Sequence, residues 1–369
     1  MPKVNIKPEI LSLFSGCGGL DWGFHLAGYK TVWANDNNEW AVKTFKNNFP
    51  DADVKQNDIA NIDPTDEKIP DCDLIVGGFP CQDFSVVWKR PGLNGIRGNL
   101  YQHYLRFVDA KKPKAFVAEN VKGLLTANKG HAMKQILKGF RESGDGYLVK
   151  IQLYNFADYG VPQFRERVII VGIRLDTGFH FVHPVPTHGK GRKNEYKTAG
   201  KALKGVEKVC DYNPNEINIA EKTREMLKLI PEGGNFKDVP SDSPYYVKGL
   251  ISHVYRRLHR NEPAKTIIAA GGGGTWGYHY SEPRPLCNRE RARLQSFNDD
   301  FTFEGSVSEV RRQIGNAVPP DGVVLIAKNL LPLFDGRYEQ TDLKKINKKL
   351  QNLTIQEQLE YDFNLQKND

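Results

Sequence analysis

From residue 9 to residue 174, short apolar runs alternate with stretches whose apolar residues recur at helical spacing. Glu9 to Leu13 predicts a strand that runs into the turn Phe14-Ser15-Gly16-Cys17-Gly18-Gly19. Leu20 to Ala27 predicts a helix stopped by Gly28. Thr31 to Ala34 predicts a second strand, which exits through Asn35-Asp36. A helix over Glu39 to Asn48 and a short strand at Asp53 to Lys55 come next, with Asn57-Asp58-Ile59 as the exit. Then come a strand over Asp73 to Val76 that ends in two glycines, a helix from Leu100 to about Ala110, and a strand over Ala115 to Ala118 that closes on Glu119-Asn120-Val121. His131 to Ser143 predicts a helix, and Tyr147 to Leu153 and Arg167 to Ile173 predict strands. Such alternation predicts an α/β fold built on a doubly wound, mostly parallel sheet.

Between Arg174 and Leu286 the alternation stops. The expected organisation is therefore a core over 1–178, a smaller loop-rich domain over 179–285, a return segment over 286–334 that completes the core, and a polar extension over 335–369. The extension has helical spacing at Leu343, Ile346, Leu350 and Leu353, which suits either an added helix on the core or a solvated appendage. A formal net charge of +8 favours a polyanionic partner without identifying one. The five cysteines are scattered and form no Cys-x-x-Cys pair, so neither a disulfide framework nor a zinc site is expected, and a reducing compartment fits. The N-terminal residues do not read as a signal peptide and no run approaches 18 apolar residues, so the expectation is a soluble, intracellular protein without a membrane partner.

Three groups of residues carry candidate chemistry. Cys81, in Gly77-Gly78-Phe79-Pro80-Cys81-Gln82, sits in a proline-preceded turn where a strand ends, the edge at which open α/β sheets bind ligands. Position alone leaves it either a small core residue or a nucleophile, because a thiol reacts only where its surroundings favour the thiolate. Glu119 ends another strand on the same edge, and the two together would supply a nucleophile and a proton donor for addition to an electron-poor ring. Gln163, Arg165 and Arg167 alternate along an extended segment and so share one face, as three donors for an anionic or carbonyl-rich ligand. Asp36 follows the glycine turn at about the 20-residue distance at which a carboxylate holds ribose hydroxyls, although Asp21 stands where a dinucleotide fingerprint needs its third glycine.

Taken in order, Phe14-Ser15-Gly16-Cys17-Gly18-Gly19, Gly78-Phe79-Pro80-Cys81-Gln82, Glu119-Asn120-Val121, Gln163-x-Arg165-x-Arg167, Arg289-Glu290-x-Ala292-Arg293-Leu294-Gln295-Ser296-Phe297 and Gln313-Ile314-Gly315-Asn316-Ala317-Val318-Pro319-Pro320 resemble the motifs of the DNA cytosine-5 methyltransferases. The resemblance implies a Rossmann-like core that binds S-adenosyl-L-methionine and methylates C5 of a flipped-out cytosine in a short double-stranded DNA sequence, as in bacterial restriction-modification systems. It implies that Cys81 attacks C6, that Glu119 contacts N3 and the 4-amino group, that Asn120 holds the Cys81 loop, and that Arg165 and Arg167 line the base pocket. For the cofactor it implies Phe14, Ser15, Gly16, Cys17, Gly18, Gly19 and Leu20 of the first turn, with Asp36, Asn37, Asp58 and Ile59. Gly78, Pro80, Leu100, Asn316, Ala317 and Val318 complete that set. Asp36 is shorter than the Glu of many relatives, and Cys287 stands where relatives often have Thr, which reads as a packing substitution.

The resemblance also makes 179–285 the target-recognition region. Expected DNA contacts are Gln82, Ser85, Lys89, Arg90 and Arg97 on the loop after the cysteine, Gln163, and Arg256, Arg257, Gly272 and Gly273 in the recognition region. The implied enzyme is a monomer in the bacterial cytoplasm that needs no metal, paired in function with a restriction endonuclease but not stably bound to it. Two other readings compete. A tRNA methyltransferase of the same family is disfavoured by the large basic insertion Lys190 to Lys208 and by the lack of a Cys-Phe-Thr signature. A non-enzymatic DNA-binding regulator is disfavoured because drift would remove Cys81, Glu119 or Arg165 first.

Overall fold

The computed structural model describes residues 7–80, 100–246, 254–269, 273–275 and 277–365. The chain divides into two compact units: unit 1 holds Met1–Asn155, Glu166–Val185 and Val323–Asp369, and unit 2 holds Phe156–Arg165 and Pro186–Gly322. Both units are built from more than one stretch of chain; the sequence reading gave that form to the core alone, through its return segment.

Unit 1 is organised on strands β1 (Glu9–Leu13), β2 (Lys30–Asp36), β3 (Asp53–Gln56), β4 (Leu74–Gly78), β5 (Ala115–Val121), β6 (Tyr147–Asn155) and β7 (Glu166–Arg174). They form one sheet in the order β3-β2-β1-β4-β5-β7-β6. The first five are mutually parallel, while β7 lies antiparallel between β5 and β6. The sheet is the doubly wound, mostly parallel one that the alternation predicts. The central strands are buried on both faces, which is why they read as continuous apolar runs and not as alternating patterns. Ile10, Leu11, Leu13, Leu74, Ile75 and Val76 are all fully buried.

The helices of this unit are α1 (Gly19–Leu26), α2 (Glu39–Asn48), α3 (Leu100–Lys111) and α4 (His131–Glu142). Asn38 caps α2 by accepting a hydrogen bond from Ala41 N, at 2.8 Å. One face of the sheet packs against Tyr104, Phe107 and Val108 of α3 and against Met133, Ile136, Leu137 and Phe140 of α4. Tyr104 also crosses the sheet, its hydroxyl donating to the carbonyls of Ile75 and Val117.

Unit 2 carries α5 (Ala199–Leu203), α6 (Glu221–Leu229), α7 (Asn288–Leu294) and α8 (Val307–Asn316), joined mostly by turns and isolated bridges. Its loop-rich character follows the sequence expectation. A last long helix, α9 (Pro320–Asp335), returns to unit 1, where Tyr29 donates to the carbonyl of Ala327 at 2.9 Å and its ring meets Phe334 edge-on.

The polar extension belongs to unit 1. Its two helices, α10 (Leu343–Gln351) and α11 (Ile355–Leu365), pack against β6. Asp362 of α11 forms a buried ion pair with Lys150 of β6 and accepts from His183 N at 2.8 Å. Of the two possibilities that the spacing allowed, the docked helix is the one the structure contains.

Candidate active site

The order of the sheet reverses beside β1, because the chain passes from β1 outward to β2 and β3 and later returns on the other side with β4. Such a switch point opens a crevice at the carboxyl ends of the two strands. The turns that leave it are Phe14–Gly19 after β1 and the Phe79-Pro80 segment after β4. In the first turn Phe14, Gly16 and Gly18 all have left-handed φ values, of 51°, 54° and 92°. This coiling presents backbone N–H groups where α1 begins, an arrangement suited to a polar or charged ligand. Asp36, at the end of neighbouring β2, accepts from Gly16 N with one oxygen and from Asn38 N with the other, both at 2.8 Å. The Ser15 hydroxyl is buried without a hydrogen-bond partner among the described residues. A buried hydroxyl of that kind is costly unless something completes it.

Not every residue of this turn can offer its side chain. Leu20 is buried in the core. Cys17 is buried as well, and burial pushes its thiol up to about 12, so it is an inert core group. Both can serve a ligand only through their backbone. Asn37 is exposed, and Asp58 is exposed while accepting from Ala60 N at the start of a short 3-10 turn. The Ile59 side chain is buried in the main core, and Leu100, half-buried at the start of α3, packs on that core.

At the second turn the strands run further than the apolar pattern indicates. Gly77 and Gly78 belong to β4, and Glu119, Asn120 and Val121 belong to β5, because pairing with the neighbouring strands continues to Gly78↔Glu119 and Val121↔Arg167. A Cβ on Gly78 would lie 2.8 Å from Glu119 Oε2, so only glycine lets the carboxylate lie against this strand end. Arg167 of β7 donates from Nε to Glu119 Oε1 at 2.7 Å. Both side chains are nearly buried, and the contact fixes the carboxylate by a charge-assisted bond. Asn120 donates from Nδ2 to the carbonyl of Phe79 at 2.8 Å and accepts from Val121 N, which anchors the chain two residues before Cys81. Pro80 is exposed. Cys81, Gln82, Ser85, Lys89, Arg90 and Arg97 lie outside the described residues.

Unit 2 holds the remaining candidates, and two of them require correction. Gln163 was expected to face DNA. It is fully buried instead, donating to the carbonyl of Leu294 and to Gln295 Oε1 and accepting from Ile267 N. Arg257 was also expected at the DNA. It is buried, and its guanidinium donates to the backbone carbonyls of Leu227, Ile230, His279 and Tyr280. An amide and a guanidinium so enclosed act as struts, since breaking their bonds would leave buried carbonyls unpaired. Arg165 donates to the carbonyls of Ile267 and Gly315 within this unit. Arg256 is half-buried, and Gly273 opens a short 3-10 turn, Gly273–Thr275; Gly272 lies outside the described residues. Asn316 is exposed at the end of α8, with Ala317 and Val318 buried beyond it.

Two carboxylates have structural roles that the sequence reading did not assign them. Asp21 is buried beneath the first turn, accepting from the hydroxyls of Ser12 and Thr31, and burial raises it to about 6. Glu290 of unit 2 is fully buried and binds Arg284 through both oxygens. The signal for the first was Asp21 on the apolar side of a helix. Cys287 is buried beside Glu290, and burial pushes its thiol up to about 12, as fits a packing residue. Among the described residues no group of histidines, cysteines and carboxylates could hold a metal ion.

Comparison with known proteins gives a consistent result. The profile of the C-5 cytosine-specific DNA methylases matches residues 9–331. The chain is 64% identical over 340 residues to the type II methyltransferase M.NgoFVII of Neisseria gonorrhoeae, covering 91% of this chain and 90% of that one. It is 42% identical over 345 residues to the type II methyltransferase M.BbvI of Brevibacillus brevis, covering 87% and 90%. Among solved structures, one described as a DNA modification methyltransferase encoded within an E. coli prophage has a TM-score of 0.69 and 23% identity, over 89% of this chain and 100% of that one. The S. pombe Dnmt2 methyltransferase has a TM-score of 0.62 and 17% identity, over 89% and 99%. At such identities the two structures speak for the fold.

Proposed function

The chain belongs to the family of C-5 cytosine-specific DNA methylases, and from that membership we propose how its residues carry out methyl transfer to cytosine C5 in DNA. The observation that carries the reading is the Glu119 carboxylate, held by Arg167 at a strand end whose other neighbour, Gly78, leads within three residues to Cys81.

The Cys81 thiolate attacks C6 of the extruded cytosine, forming the S–C6 bond while the C5=C6 electron pair moves toward C5 and the ring. Glu119, facing N3 and the 4-amino group, stabilises the charge that develops there. C5 would then accept the methyl group as its bond to the donor's sulfonium sulfur breaks, the bonding pair staying on that sulfur as a neutral thioether. The C5 proton leaves to a base or to water, its electron pair restores C5=C6, and the C6–S bond breaks to release Cys81. Asn120 positions the nucleophile's segment through the Phe79 carbonyl. The family resemblance gives Arg165 the base O2.

The methyl donor is S-adenosyl-L-methionine, which supplies an electrophilic methyl group on its sulfonium. The first turn suits it: the unpartnered Ser15 hydroxyl, the coiled backbone and the Asp36 carboxylate together offer donors and acceptors for a charged nucleoside. Asn316, Ala317 and Val318 would serve its methionine end. The substrate is a short specific sequence in duplex DNA, and the role is protection of host DNA beside a restriction endonuclease, a reading supported by the similarity to the type II methyltransferases. The enzyme acts as a monomer in the cytoplasm.

Expression in cells lacking cytosine methylation, followed by bisulfite sequencing, tests the proposal against a Cys81→Ala control. Protection at one recurrent short sequence, absent from the control, is the expected outcome. Equal protection in the control would remove Cys81 from the chemistry. Unmodified DNA from folded protein would leave the tRNA reading, which the same sequencing of cellular tRNA decides.

A further inference from the structure

The family profile ends at residue 331, and the chain beyond α9 forms an ordered addition that the methyl-transfer site does not use. Helix α10 reads Leu343-Lys344-Lys345-Ile346-Asn347-Lys348-Lys349-Leu350-Gln351. Leu343, Asn347 and Leu350 are buried against unit 1. At about 100° per residue, Lys344, Lys345, Lys348 and Lys349 fill the arc opposite that buried stripe, and all four are exposed.

The helix has no acidic residue of its own. Its cap, Asp342, accepts from Lys345 N, and the nearby acids of α11 are engaged locally, Glu357 by Thr354 and Glu360 by Gln356. The face is also held rigidly. The buried Lys150–Asp362 pair and Leu359 seat α11 on the core, and Lys349 lies over the Tyr361 ring at 5.3 Å.

We propose that the lysine face of α10 is a sequence-independent binding surface for the phosphate backbone of duplex DNA. This rests on the reading of the protein as a DNA methylase, which makes a polyanion the natural occupant of a cationic face that has no ion pair among the described residues. Lys344 and Lys348 are about 6 Å apart along the helix axis. Each DNA strand carries a phosphate about every 3.4 Å, so one lysine pair matches a step of about two phosphates. Rigid presentation keeps the ordering cost of such contacts low.

The test uses the full-length protein with Lys344, Lys345, Lys348 and Lys349 all changed to alanine, beside a second variant with all four changed to arginine. Alanine keeps helix propensity, and an unchanged melting curve establishes that α10 stays folded. The probe is a fluorescent 30-base-pair duplex without a methylation site, titrated from low to high salt. The expected result is weaker binding for the alanine variant, with a salt slope shallower by about 0.9 for each phosphate no longer neutralised, and recovery of the slope in the arginine variant. The turnover rate at saturating target duplex should match the wild type. Equal affinity and slope in wild type and alanine variant would overturn the inference, and would point to an acidic protein or RNA as the occupant. If the wild type methylates DNA while this comparison fails, only the role of α10 is lost. If the wild type methylates no DNA, the functional reading itself fails.

Discussion

Among single residues, Asp21 is the best placed to report on the turn after β1. It is almost fully buried, and its carboxyl accepts hydrogen bonds from Ser12 and Thr31. Those bonds favour the charged form, but desolvation is the larger effect and raises the group to about 6. With the folded value above the ordinary one, the native state holds a proton that the unfolded chain has lost between about pH 4 and pH 6. The stabilisation is therefore complete below pH 4 and disappears as pH rises through 6, by about 3 kcal/mol in all. Urea unfolding at pH 4, 5, 6 and 7 checks this with Asp21→Asn, whose amide does not titrate. The variant's stability relative to the wild type should grow with pH across the window; parallel curves would contradict the assignment. The neighbouring cysteine shows the opposite use of burial. Cys17 lies in the turn proposed to bind the cofactor, yet its thiol is a packing group.

For the elements, the informative pair is β1 and β4 at the switch point. Their parallel register ends with Leu13 opposite Gly77, and a Cβ on Gly77 would fall 2.2 Å from the Leu13 carbonyl oxygen and 3.2 Å from the Tyr104 ring. The first neighbour is backbone and cannot swing away, so Gly77→Ala must push the two strands apart. A cost of about 1–3 kcal/mol is expected from overpacking, read as a lowered Tm. Because the turn proposed to bind the cofactor leaves the first of these strands, the variant should also weaken binding of S-adenosyl-L-methionine in calorimetry. An unchanged Tm would mean that the sheet absorbs the methyl group. The apolar pattern located both strands and the two glycines that end the second, but not why glycine is required there. Sequence shows the missing side chains and not the neighbouring carbonyl that makes the absence necessary.

At the scale of the whole molecule, the extension beyond residue 335 is tied to the core through a buried ion pair. Lys150 and Asp362 are each about 4% exposed or less, and the lysine also donates to the carbonyl of Phe181 at 2.7 Å. Desolvation lowers the lysine while Asp362 opposes that shift, so the pair depends on both partners being present. Removing one leaves an uncompensated buried charge, worth about 3–5 kcal/mol. Asp362→Ala should therefore lower the urea midpoint and raise amide hydrogen exchange across α11, while Lys150→Met with Asp362→Leu should recover much of the loss. Undiminished protection of α11 in the single variant would show that apolar packing through Leu359 holds the helix without the ion pair. His180 and His183 adjoin this pair, and burial lowers both to about 4. Their contribution is present above pH 6.5 and is lost as pH falls through 4, so acid should release the extension.

The order of strands and helices through residue 174, and the motifs around Cys81, Glu119 and Asp36, were legible along the chain. Period and motif are local properties, set by which neighbours are apolar and which are glycine. Only the tertiary structure decided that β7 enters the sheet between β5 and β6, that α10 and α11 dock on β6, and that Gln163 and Arg257 are struts. The physical reason lies in the partners. Arg257 is satisfied by four carbonyls from residues 22 to 30 positions away, in both directions along the chain. A backbone carbonyl is the same in every residue, so nothing in the sequence marks it as an acceptor. The arginine's charge therefore reads as a surface group until folding encloses it.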